Sequence, residues 1–94
     1  MDSKTQSMGE RLLNGIINYY EDEQFLLADG FNDAVIGVDE SSMRLIYSTS
    51  KCIEILMLQS EMLLDEAIEY FDFNVRGAYF GDKTPIWCED MLYE

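Results

Sequence analysis

Leu63–Gly81, LLDEAIEYFDFNVRGAYFG, is the stretch whose reading decides the fold. Leu64, Ile68, Phe71, Val75 and Ala78 recur at intervals of three or four, so they share one face of a 3.6-residue period. Glu66, Glu69, Asp72 and Arg76 fall on the other side, where Asp72 and Arg76 make a favourable i,i+4 pair. Asp65 stands where an N-cap is needed, and Glu66 and Glu69 sit near the positive end of the helix dipole. Gly81, followed by Asp82, Lys83, Thr84 and Pro85, reads as a C-cap and a stop. The expectation is one long amphipathic helix on which the rest of the chain packs. It fixes no activity.

Upstream, Ala34–Val38 (AVIGV) and Met43–Tyr47 (MRLIY) are short β-branched runs separated by Asp39, Glu40, Ser41 and Ser42, residues with turn chemistry. They predict an antiparallel hairpin, with Ala34, Ile36 and Val38 on one face of the first strand. Met43, Leu45 and Tyr47 share a face of the second. Ser7 and Glu10 match a capping box, so a first helix begins there, with Leu12, Leu13, Ile16, Ile17 and Tyr20 as its apolar stripe. Gly9 and Gly15 weaken that helix, by up to about 1 kcal/mol each relative to Ala. Its pattern could resume through Gln24–Leu27 before Asp29 and Gly30 end it.

Ser48, Thr49 and Ser50 offer N-caps for another helix, with Cys52, Ile53, Leu56 and Met57 inward and a break over Gln59–Met62. Gly77 invites a close approach or a kink in the long helix. Ile86, Trp87 and Cys88 could add a third strand, and Met1–Gln6 are polar and expected to fray. The fold class predicted is α+β. A single small domain over 1–94 holds an antiparallel hairpin, with room for a third short strand, packed on two to three helices.

Composition narrows the function. Ninety-four residues with 48% hydrophobic side chains can fold around one core without metal or disulfide. The net charge is 6 − 19 = −13, with no histidine, which argues against binding nucleic acid or an anionic membrane and for a partner rich in Lys and Arg. Cys52 and Cys88 are too few for a disulfide scaffold and lack metal-ligand spacing, so free thiols in a reducing cytosol are expected. No apolar run nears the roughly 20 residues of a membrane span, and the N-terminus lacks a signal-peptide core.

Without histidine, nucleophile elbow, phosphate-cradling glycine loop or paired-cysteine motif, no catalytic residue, cofactor or metal site is assigned, and the chain is expected not to be an enzyme. Carboxylate pairs such as Glu66 and Glu69 read as a solvated face. Glu21–Asp22–Glu23 and Asp39–Glu40 do not have EF-hand spacing.

The candidate partner-binding residues are acids on three surface elements, with aromatics among them. They are Glu21, Asp22 and Glu23; Glu66, Glu69, Asp72 and Phe73; and Asp82, Trp87, Glu89 and Asp90. Gathered on one side, such acids could imitate the spaced charge of a nucleic-acid backbone and compete for a Lys/Arg groove. Tyr19, Tyr20, Tyr70 and Tyr93 are further aromatics of the kind that anchor interfaces, including a homo-oligomer's. Phe71 and Phe31 read as core. A uniformly acidic coat is the plain alternative, and a pocket that sequesters a small ligand between hairpin and helices is a third reading.

Two segments, GFNDAVIGVDESSMRLIYSTSKCIEIL and DEAIEYFDFNVRGAYFGDKTPIW, resemble small acidic proteins encoded by bacteriophages, most distinctively at Glu69–Pro85, EYFDFNVRGAYFGDKTP. The resemblance spans roughly Phe31 to Trp87. It implies a viral gene product in a bacterial host's cytoplasm and brings no catalytic or binding residues. By analogy of size, charge and genome type, it points to inhibitors of host machinery or defence, including anti-CRISPR proteins and DNA mimics.

Overall fold

The computed structural model describes residues 6–92, so the fraying expected of Met1–Gln6 lies outside them except at Gln6, as do Tyr93 and Glu94. Helix α1, Met8–Tyr19, starts where predicted, the Ser7 hydroxyl accepting from the Glu10 N–H at 3.1 Å, which is the Ser7 half of the capping box. Leu13 and Ile16 are buried, whereas Leu12 and Ile17 stay largely exposed, so the inward stripe is narrower than predicted. Gly9 has a packing reason. A Cβ there would lie 2.3 Å from the Asp33 carbonyl oxygen, because α1 rests directly on a 3-10 turn, Asn32–Ala34. No helix resumes through Gln24–Leu27. That segment runs as open chain to Ala28, whose N–H donates to the buried Tyr47 hydroxyl at 2.8 Å.

Strands β1, Val35–Asp39, and β2, Arg44–Ser48, form the predicted antiparallel hairpin, but the inward face of β1 differs from the alternation read in sequence. Val35 pairs with Tyr47 and Val38 with Leu45, with a register shift between Val35 and Gly37. One extra residue in the strand flips the parity, so Val35 and Val38 share the core side and Ile36 is turned out. The hairpin turn is held by Asp39, whose carboxylate accepts from the Ser41 and Ser42 hydroxyls at 3.0 and 2.6 Å. Those bonds keep its carboxyl below the usual range.

Helix α2, Thr49–Gln59, is capped by Ser48, whose hydroxyl accepts from the Lys51 N–H at 3.1 Å; it buries Cys52, Ile53 and Leu56. Met57, predicted inward, is partly exposed. The chain breaks after α2 where predicted, with Glu61 left-handed at φ 56°.

The organising helix is shorter than its periodicity suggested. Helix α3 spans Leu64–Phe71 and passes into a π-helical turn, Asp72–Arg76, ending at Gly77. The N-cap is Leu63, not Asp65. Glu66 reaches back to accept from the Leu63 N–H at 2.8 Å, the half of a capping box a leucine permits. Ala67 and Phe71 make the buried stripe, joined by Ile68 and Val75 at its edge, while Leu64 is 47% exposed. The wider π turn changes the angular spacing beyond Phe71, so Ala78 lies past the helix. Gly81 does not cap a helix. It turns the following loop at φ 99°, and Thr84 closes that loop, accepting from the Phe80 N–H and donating to the Gly81 carbonyl.

Strand β3, Ile86–Cys88, adds to β2 in parallel, giving a mixed sheet of order β1-β2-β3. The α+β class stands, with three helices and three strands among the described residues. The core lies where α1, the sheet, α2 and α3 meet. Fully buried Phe71 stands edge-on to Phe31 and Trp87, with ring centroids 6.5 and 5.3 Å away.

Candidate functional site

The outer flank of α3 gathers four of the predicted residues. Phe73, 78% exposed, borders two adjoining hollows: Glu66, Glu69 and Tyr70 line one, and Asp65, Glu69 and Asp72 line the other. Among the described residues neither hollow is lined by Lys or Arg. The arrangement follows from the local fold. Asp65, Glu66 and Glu69 occupy the first turns, where the dipole favours them, and the π turn carries Phe73 into solvent two residues after buried Phe71. Asp72 marks the end of this flank. Arg76 bonds it at 3.2 Å, the i,i+4 pair predicted, and reaches Glu89 at 2.9 Å while its guanidinium lies over the Phe71 ring.

The other candidates are placed elsewhere or engaged in the fold. Glu23 pairs with Lys83 at 3.1 Å, and the same ammonium donates to the Met43 carbonyl, tying the chain after α1 to the hairpin and the loop before β3. Glu21, Asp22 and Asp82 are exposed around that tie. Asp90 acts as a distant cap for α2: its carboxylate accepts from the Ser48 hydroxyl at 2.5 Å and the Ser50 N–H at 2.8 Å. Burial works against its charged form, but those hydrogen bonds outweigh it and hold the carboxyl below its ordinary range. Trp87 is half-buried between Tyr47 and Phe71 and belongs to the core edge, not to an exposed anchor set. Tyr20 donates to the Glu40 carboxylate, which pushes its hydroxyl up to about 12. Cys52 is buried, and its thiol is raised to about 12, by burial and then by the Asp90 charge.

Beside the acidic flank runs a groove of about 520 Å³ lined by no residue of the hairpin, so it is not the pocket between hairpin and helices that the sequence suggested. Leu27, Tyr70 and Phe80 stand at its exposed rim; Phe31, Leu56 and Trp87 form its floor. Ser60, Tyr70 and Asn74 line both this groove and the hollow holding Glu66, Glu69 and Phe73, so the two are one continuous surface. Among the described residues its only charged lining residue is Asp29. Sequence reading gave Leu27 to a resumed helical pattern and Phe80 to the end of the long helix, and it assigned Asp65 to capping. The exposed aromatic pair Tyr79 and Phe80 beside Gly81 was the available signal.

Among the described residues, no group of three or more His, Cys, Asp or Glu is placed to hold a metal ion, and no helix is long and apolar enough to cross a membrane. No protein-family model matches the chain, and no significant match is found among curated proteins or solved structures. The chemistry this surface can offer is recognition: negative charge and an aromatic face beside an apolar groove.

Proposed function

We propose that the chain is a non-enzymatic viral protein that acts in the bacterial host cytoplasm by binding a basic surface of a host protein and blocking it. A nucleic-acid-binding defence complex is the target class such a surface fits. The observation that supports this reading is the outer flank of α3, where Asp65, Glu66 and Glu69 surround exposed Phe73 in hollows without a lining cation. Carboxylates attract Lys and Arg, and an exposed ring adds a cation–π face.

Position must be separated from net charge, because any chain at −13 attracts cations. Asp65→Lys/Glu69→Lys and Glu21→Lys/Asp22→Lys each bring the net charge to −13 + 4 = −9. Capture of a lysine-rich peptide should weaken on the order of tenfold in the first variant and far less in the second. It should also fall steeply with added salt in the wild type. Equal losses in both variants would mean a uniformly acidic coat, and the assignment to α3 would fail.

A second reading, a homo-oligomeric assembly module, draws on exposed Met8, Leu12, Ile36 and Leu58, which line a groove between α1, β1 and α2. A large scattering mass unchanged by salt would favour it over the inhibitor.

A further inference from the structure

The groove and the acidic flank share a border at Ser60, Tyr70 and Asn74, and their shared outline specifies what can lie across them. On one side the lining is mostly apolar, with Leu27 and Phe80 exposed at the rim and Asp29, Gln59, Ser60 and Asn74 as its polar members. On the other, Glu61, Glu66 and Glu69 flank the Phe73 ring. Among the described residues no Lys or Arg lines either part; Arg76 pairs with Asp72 at the end of the flank and with Glu89, and Lys83 pairs with Glu23.

We infer that this composite surface takes one segment of the partner, a basic amphipathic helix. Its apolar stripe sits in the groove against Leu27, Tyr70 and Phe80. Its Lys and Arg side chains lie over Glu66, Glu69 and Phe73. The inference rests on the reading of α3 as the partner surface and deepens it by naming the occupant. Three features argue for it. Charge complementarity requires cations, since an acidic or neutral occupant would leave at least three carboxylates of the flank without counter-charge. The groove requires apolar side chains, since Leu27, Phe31, Leu56, Val75, Phe80 and Trp87 dominate its lining. Its walls come chiefly from side chains of α2, α3 and the loops around them. That suits an occupant presenting anchors at i, i+3, i+4 and i+7 rather than one adding a strand through backbone bonds.

The test uses the full chain and four labelled peptides of about 18 residues, or five helical turns, with binding followed by fluorescence anisotropy at physiological salt. The first carries Leu at helical spacing and Lys elsewhere, and the second is its scramble. The third replaces every Lys with Glu, and the fourth is oligolysine. The first peptide should bind at least about tenfold tighter than each of the others and gain helical circular dichroism on binding. Phe80→Ser, a change at a 67% exposed rim position, should reduce it to the affinity of oligolysine. Glu69→Lys should weaken both the first peptide and oligolysine.

If the scramble or oligolysine binds as tightly as the first peptide, the groove plays no part. The helix inference then falls while the flank assignment stands. Equal binding of the Glu peptide, or binding of the first peptide without helical gain, also overturns the inference. If no peptide binds, the inference falls together with the reading of α3 on which it rests.

Discussion

Two acid-rich regions of this molecule use the same side chains differently. Around the hairpin and the chain that returns to it, acids hold the fold together. Asp39 closes the turn, Glu23 holds Lys83, and Asp90 reaches across 42 residues of sequence to Ser48 at the start of α2. On the outer flank of α3 the acids have fewer structural duties. Glu66 caps the helix and Asp72 pairs with Arg76, but Asp65, Glu69 and exposed Phe73 face solvent in hollows without a cation. The number of carboxylates therefore does not mark a docking surface. What the proposed surface adds is carboxylates without a cation partner among the described residues, beside an exposed ring and a mostly apolar groove.

The widest contrast is between Phe71 and Phe73. Phe71→Ala removes a fully buried ring packed on Phe31 and Trp87 and should cost about 3–5 kcal/mol in urea unfolding. Phe73→Ala should stay within about 0.5 kcal/mol while weakening capture of a basic peptide. A comparable stability loss at Phe73 would mean that its ring is packed, and the division between the two regions would break.

Asp90→Asn comes next. Losing the charged cap of α2 should cost about 0.5–1 kcal/mol at neutral pH, near the low end for a cap because the carboxylate is largely exposed. Its folded pKa is depressed, so its stabilisation is fully present above the unfolded value of about 3.9 and is lost as pH falls through the folded value. The stability gap between wild type and Asp90→Asn should therefore close as pH is lowered below about 4. A gap that persists in acid would mean that the carboxylate charge is not what holds α2 and β3 together.

The smallest effects separate Glu23 from Glu69. Lys83→Ala should lose at most about 1 kcal/mol, since its ion pair with Glu23 is more than a third exposed on both sides. Peptide capture should be unchanged. Glu69→Ala should leave stability within about 0.5 kcal/mol and weaken capture, so a double dissociation between thermal melting and binding sharpens the comparison.

Features set by neighbouring residues were legible in the sequence: the caps at Ser7 and Ser48, the turn at Asp39–Ser42, the break after α2 and the Asp72–Arg76 pair. Features set by distant residues were not. The bulge at Ile36 reverses one strand's parity without changing its composition. The π turn ends α3 within a run that is still periodic in sequence. Asp90 looked like part of an acidic tail because its partners lie far away in sequence, and Trp87 looked like an anchor because only the parallel placement of β3 brings it against Tyr47 and Phe71. At the candidate site, Glu66, Glu69 and Asp72 were found by period, and Phe73 as one of the aromatics a small core cannot hide. The adjoining groove was not anticipated, since the loops carrying Leu27 and Phe80 meet α3 at Tyr70 in a way no local pattern records.

Backbone amide chemical-shift mapping of the labelled full chain, titrated with the Lys/Leu helical peptide, tests the central claim most directly. The account predicts perturbations concentrated over residues 61–75, 26–31 and 78–80, with residues 21–23, 39–40 and 82 nearly silent. Shifts of equal size at every cluster of carboxylates would contradict it and leave a general acidic coat in its place.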